Sequence, residues 1–280
     1  MNKISLICLL VGVCACKAAP KKQQDSLYSR HLQRAVQLTI FNTPLPDDKS
    51  QLNLLILNDG QEADRLRLND LLDSLYKAKA IKPLVVVAVH SGDRMQEYGV
   101  ADKPDFEQRG SRAGYYDAFV NNELYPFIKK KAGVRKFNTV AIAGFSLGAL
   151  SAFDIAWNHA DKIDKAGIFS GSFWWRDKDL SDTTYKDDDN RIMIAKLKDS
   201  RKKPHQQYWF YAGGAEESSD RDKDGIIDVV DDTKDVIALV QKRMGGSGDV
   251  QYVEAPAGRH DWPDWSAQLP AFLVWAFGNQ

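Results

Sequence analysis

Apolar residues fall along this chain in short runs, several of them near-continuous, separated by stretches of helical spacing. The runs are LNLLILN (52–58), PLVVVAVH (83–90), TVAIAGF (139–145), AGIFS (166–170), QYWFYAG (207–213) and VQYVEAP (250–256). Between and after them, apolar positions recur with a helical period over 63–80, 115–131, 147–159, 232–244 and 265–277. A strand that is apolar on both faces is one covered by helices on both sides, as in a parallel sheet. Strands of this kind alternating with helices predict an α/β fold with a doubly wound, mainly parallel sheet. Two alternating segments, 27–34 and 35–42, come first and predict an N-terminal antiparallel strand pair, closed by the turn-rich TPLPDDKS (43–50).

The start of the chain does not fit this pattern. In MNKISLICLLVGVCACKAAP a lysine precedes an apolar run from Ile4 to Val13, and small residues follow. The run is too short to span a bilayer and has the form of an export signal. The stretch Val13-Cys14-Ala15-Cys16 is similar to a bacterial lipoprotein box, which implies cleavage before a lipidated cysteine. Cys16 fits that role better than Cys14, because Ala15 is small and Val13 is not; ordinary cleavage near Ala18 or Ala19 is the alternative. The expected organisation is therefore a signal over 1–16, a polar tether over 17–26 (with AAPKKQQDS at 18–26) and one domain over 27–280. The chain would then be exported and anchored to the bacterial cell envelope by lipid.

Composition narrows the reading further. The chain has 280 residues, 44% hydrophobic and 27% charged, with Lys+Arg and Asp+Glu both at 38. No net field recruits nucleic acid or an anionic surface. The cysteines are Cys8, Cys14 and Cys16, all in the leader. The exported domain therefore carries no disulfide and must rely on its core.

Candidate chemistry centres on AIAGFSLGAL (141–150). Gly144-Phe145-Ser146-Leu147-Gly148 has the G-x-S-x-G form, with a strand before it and a helix after it, the context of a nucleophile elbow. A serine hydroxyl needs a base, and the base needs an orienting group. Of the histidines beyond the elbow, His205 precedes a strand, whereas His260 follows the last strand in EAPAGRHDWPDW, at the sheet end where such folds hold ligands. The acid is expected after the preceding strand, in QYWFYAGGAEESSD, where Glu216, Glu217 and Asp220 are all available. The backbone N–H of Leu147 is one expected oxyanion donor, and the NDGQ turn (58–61) supplies a second through Gln61.

With these residues in view, the span from Leu27 to Gln280 resembles the putative-esterase group of the α/β-hydrolase superfamily, which includes enterochelin, feruloyl and acetylxylan esterases and the esterase D type. The resemblance rests on LILNDGQE, RMQEYG (94–99), GFSLGALSAF, SGSFWW (170–175) and AGRHDWPDW. Relatives often carry HDGQN where this chain has Asn58-Asp59-Gly60-Gln61, and Glu62 departs from that pattern. The resemblance implies serine-ester hydrolysis of an extracytoplasmic ester (an esterified carbohydrate, a siderophore-like or a small ester) with no organic cofactor. It also implies Glu216 as the acid, although many relatives have Asp there. An acyltransferase on the same fold, or a non-catalytic calcium-dependent carbohydrate-binding lipoprotein, would use the same features differently.

Two further sets of residues carry expectations. DRDKDGIIDVVD (220–231) follows the twelve-residue calcium-loop pattern, with Asp220, Asp222 and Asp224 at its first carboxylate positions and Gly225 at the turn. Ile226 would offer its carbonyl, and Asp228 and Asp231 complete the set for a structural Ca²⁺. Position twelve is Asp, not the usual Glu, and a strand leads into the loop. Trp174, Trp175 and Trp262 follow strands at the expected active rim, and His90 and Arg94 lie near it. All five are candidate substrate contacts; Arg112 meets an anion or ties its loop down. The sequence gives no oligomeric state.

Overall fold

In the computed structural model, which describes residues 21–246 and 249–279, the apolar runs from LNLLILN to QYWFYAG are buried on both faces, whereas VQYVEAP is a partly exposed edge strand. The leader and Cys16 lie outside the described residues. In chain order the elements are β1 (Lys21–Ser29), β2 (Arg34–Asn42), β3 (Asn53–Leu57), α1 (Leu68–Lys77), β4 (Leu84–Val89), α2 (Arg94–Glu97), α3 (Ala113–Phe119), α4 (Tyr125–Ala132), β5 (Val140–Phe145) and α5 (Leu147–Asn158). They continue as β6 (Lys165–Phe169), α6 (Asp187–Asn190), α7 (Ile192–Asp199), β7 (Gln207–Gly213), α8 (Asp228–Arg243), β8 (Val250–Ala255) and α9 (Trp262–Phe277). A 3₁₀ turn at Gly60–Glu62 follows β3, and a π-helical turn at Val120–Leu124 joins α3 to α4.

The eight strands form one sheet in the order β1-β2-β4-β3-β5-β6-β7-β8. Neighbours from β4 to β8 are parallel, and β1 and β2 add an antiparallel edge. Strand alternation divides the apolar runs between two cores. Leu54, Ile56, Val85, Val87 and Ile142 meet α3, α5 and α7 on one face. Leu55, Leu57, Val86, Ala88 and Ala143 meet α1 and α9 on the other. Among the described residues, no helix is long and apolar enough to cross a membrane.

Several boundaries differ from expectation. β1 begins at Lys21, so the latter part of the expected tether is paired with β2. Lys21 to Gln24 are exposed along an edge strand, where backbone pairing needs no apolar side chain. The helix expected from residue 63 begins at Leu68, after Arg67 adopts a left-handed φ of 47°. The one expected over 115–131 is interrupted by the π turn. α8 begins at Asp228 and takes in the end of the acidic segment. The strand register also fixes polarity: Lys21 lies opposite Asn42, and Asn42 opposite Val85, so β1 starts beside the amino-terminal end of β4.

Candidate active site

Ser146 joins β5 to α5 with φ 55° and ψ −125°, a strained conformation for a residue with a side chain. The turn is tight enough that a Cβ on Gly144 would overlap the Gly148 carbonyl. The Ser146 amide donates to the Phe169 carbonyl at 2.9 Å, fixing the elbow to β6. The hydroxyl therefore stands at the carboxyl ends of the parallel strands.

The loops after β7 and β8 meet at the same rim. His260 Nδ1 lies 2.7 Å from Glu216 Oε2, and the Glu216 side chain is only 1% exposed. The other oxygen, Oε1, accepts from Ser170 Oγ and from the Gly213 amide, each at 2.6 Å. Trp265 Nε1 donates to Ser170 Oγ at 2.8 Å. An indole nitrogen only donates, so the single Ser170 proton is directed to Glu216. Nδ1–H donation to Glu216 leaves His260 Nε2 as the basic nitrogen. The alternatives for the acid are otherwise engaged. Glu217 accepts the Val229 amide at 2.9 Å, and burial pushes its carboxyl up, with Asp228, Asp232 and Glu216 adding to the shift. Asp220 accepts amides within its own loop.

The imidazole is held on a second side. Its ring meets Trp265 edge-on at 4.9 Å, and Trp265 lies 5.4 Å from the Phe145 ring, so base and elbow flank one indole. Asp261 caps α9 by accepting the Asp264 amide at 3.0 Å, while Asp264 accepts the Arg259 amide at 2.6 Å. This reciprocal cap pins the residues on both sides of His260. Among the described residues no hydrogen bond joins Ser146 Oγ to His260 Nε2; catalytic bonds of this kind commonly close only around substrate.

Leu147 N–H at the first position of α5 and Gln61 N–H in the 3₁₀ turn have no protein acceptor among the described residues. The Gln61 side chain is occupied, bonding Asp59 Oδ1 at 3.2 Å and Ser91 Oγ at 3.1 Å, so its backbone is the available donor. Gly60 lets this turn press on β4, where a Cβ would overlap the Ala88 carbonyl.

Three expected substrate contacts are committed elsewhere. Trp175 is fully buried, with the Arg109 guanidinium 5.1 Å over its ring, and belongs to the core. Arg94 forks onto the buried Asp59 carboxylate at 2.8 and 2.9 Å. His90 Nε2 is 2.9 Å from Thr39 Oγ1 on β2, and burial lowers its pKa. Trp174 and Trp262 remain half-buried. Trp174 lines a cavity of about 430 Å³ with Arg176, Leu180 and Glu217, in the loops that follow β6 and β7. Trp262 packs on Phe145 at 5.1 Å. A larger cleft of about 550 Å³, beside Trp157 and Lys196, is at the far end of α5 from the elbow. Arg112 donates to the Leu32 carbonyl at 2.6 Å and ties its loop to the hairpin. Ser170 and Trp265 complete the carboxylate's surroundings; both fall in the quoted stretches SGSFWW and AGRHDWPDW, which did not show that they bond each other.

In the acidic loop, Asp220, Asp222 and Asp224 bring one oxygen each within 4.8 Å of one another. Asp228 departs from its expected role, because its oxygens accept from the Arg221 amide at 2.9 Å and pair with Arg221 Nη1 at 3.1 Å. Asp231 lies in α8; burial, with the charges of Asp235, Asp222, Asp232 and Asp224 adding, raises its carboxyl. The Ile226 amide donates to Asp224 Oδ1 at 2.7 Å.

The sequence profile of a family described as "Putative esterase" matches residues 29–276. No curated protein sequence matches the chain. Among solved structures, a ferulic acid esterase aligns with TM-score 0.68 and 18% identity over 92% of this chain and 98% of that one. Enterochelin esterase from Shigella flexneri aligns with TM-score 0.69 and 20% identity over 92% of this chain; the match spans 59% of that longer protein. An IroE-like serine hydrolase from Shewanella oneidensis gives TM-score 0.65 and 17% identity over 91% of this chain and 79% of that one. At such identities the likeness is one of fold.

Proposed function

This chain belongs to that esterase family, and from that membership we propose that it hydrolyses carboxylic esters through an acyl-enzyme on Ser146. The observation that carries the proposal is the buried Glu216 carboxylate bonded to His260 Nδ1, on the rim where the strained serine stands. Ser146 Oγ attacks the ester carbonyl as its proton passes to His260 Nε2, and the carbonyl electrons move onto oxygen. The Leu147 and Gln61 amides stabilise that oxyanion; one such donor is worth about 3–4 kcal/mol in comparable sites. Collapse breaks the bond to the alcohol, which leaves with the proton from His260. A water deprotonated by His260 then releases the acid and restores Ser146.

The substrate side is read from the rim. The cavity in the loops after β6 and β7 is lined by Trp174, Arg176, Leu180, Arg221 and several carboxylates. This lining suits a polar or aromatic ester better than a long aliphatic chain. The solved proteins of like fold include one determined with enterobactin, an enterobactin esterase from Shigella flexneri. We further take the enzyme to be exported and lipid-anchored at Cys16, on the strength of the leader pattern. A structural Ca²⁺ held by Asp220, Asp222 and Asp224 is supported by the convergence of their oxygens and by the hardness of the donor set.

A fluorophosphonate probe tests the central claim. It is expected to label the native protein on Ser146, and Ser146→Ala is expected to lose both labelling and p-nitrophenyl acetate hydrolysis. Undiminished hydrolysis by Ser146→Ala would sink the proposal.

A further inference from the structure

The two oxyanion amides come from segments far apart in sequence, Gln61 after β3 and Leu147 at the head of α5. Both must address one oxygen, so their separation has to be held by something other than the chain itself. We propose that Arg94 and Asp59 form a brace that fixes this separation, which makes them positioning residues for the oxyanion site; the inference rests on the serine-esterase reading above.

The brace is built from a guanidinium with three engaged contacts. Arg94 Nε and Nη2 fork onto Asp59 Oδ1 and Oδ2 at 2.8 and 2.9 Å, and Nη2 also donates to the Phe145 carbonyl at 3.3 Å. Phe145 immediately precedes the nucleophile, and Asp59 immediately precedes Gly60-Gln61. One planar group therefore holds both segments. The Asp59 end is rigid: its side chain is 2% exposed, its backbone is left-handed at φ 58°, and its amide donates to the Tyr98 hydroxyl at 3.0 Å. The carboxylate also accepts from Gln61 Nε2. The adjacent Asn58 repeats the link, donating from Nδ2 to the Gly148 carbonyl at 2.7 Å and accepting from the Tyr116 hydroxyl at 2.7 Å. The guanidinium lies over the Tyr98 ring at 5.4 Å, which fixes its plane. A lysine ammonium is a point donor and cannot span a fork and a third acceptor in one plane.

A guanidinium so engaged acts on the rate, not on substrate affinity. In the full protein, Arg94→Lys, Arg94→Gln and Asp59→Asn are expected to lower kcat for p-nitrophenyl acetate about 10–100-fold, since displacement by an ångström can cost about 10². KM is expected to stay within about twofold, because the oxyanion develops only in the transition state. Affinity for a boronic acid that forms a tetrahedral adduct on Ser146 should fall by the same factor as kcat. The double variant Arg94→Lys/Asp59→Asn should be no worse than its worse parent, the signature of one coupled unit. If Arg94→Gln fails to fold because it leaves Asp59 buried without its cation, Arg94→Lys carries the test. A rise in KM with kcat retained would overturn the brace and make Arg94 a substrate contact. Unchanged kcat and boronate affinity in soluble Arg94→Lys would also overturn it, while an inactive Ser146→Ala left the serine reading standing. Full activity in Ser146→Ala would overturn both.

Discussion

A single proton decides how the candidate acid is presented. Ser170 Oγ takes the Trp265 N–H and so has only one direction left for its own hydrogen, toward Glu216. Ser170→Ala removes a bond to a charged group and strands a buried indole N–H. The expected result is a fall in kcat of about tenfold or more with KM little changed, given that such bonds contribute roughly 1.5–3 kcal/mol; steady-state kinetics on a small ester read it directly. At this scale the sequence was informative where order along the chain matters. His260 could be separated from His205 because strands have ends, and the acid could be narrowed to one loop. Direction was not legible. Trp175, Arg94 and His90 all sit at the right rim, yet their partners Arg109, Asp59 and Thr39 lie far away along the chain. Periodicity gives a side chain a face, not a partner.

Elements were readable in their middles and less so at their ends. The run QYWFYAG became β7 without change, because both of its faces are apolar and its neighbours are turns. α9 starts at Trp262, earlier than its apolar stripe, since Asp261 and Pro263 set its first turn by capping and fixed φ. α8 likewise starts inside the acidic segment, at Asp228, which Arg221 draws out of the expected ligand set. The remaining carboxylates make a prediction proper to this element. Millimolar Ca²⁺ is expected to raise Tm by several degrees over excess chelator, since ligand at about 100 times its Kd adds roughly 2.7 kcal/mol. Asp222→Asn with Asp224→Asn should abolish the difference. Equal melting curves with calcium and with chelator would reduce the loop to a solvated acidic surface.

For the molecule as a whole, the parallel sheet and its covering helices followed from the apolar runs, because burial on both faces leaves so clear a trace. The antiparallel pair at the edge was legible too, but not the polar start of β1 at Lys21–Gln24, as an edge strand is held by backbone bonds that its side chains do not advertise. Export and anchoring belong to this scale too. In a bacterial host, metabolic labelling with a fatty acid is expected to tag the protein, and Cys16→Ser is expected to abolish the tag and release the domain; a tag that survives the substitution would refute lipidation at Cys16. The pairing of Lys21 with Asn42, and of Asn42 with Val85, gives that arrangement a geometry. The chain enters the sheet at the pole opposite the one where Ser146 and His260 stand. Moored from that pole, the domain would turn its mouth outward to the medium, so that esters borne on polymers too bulky to approach a lipid surface could still be reached.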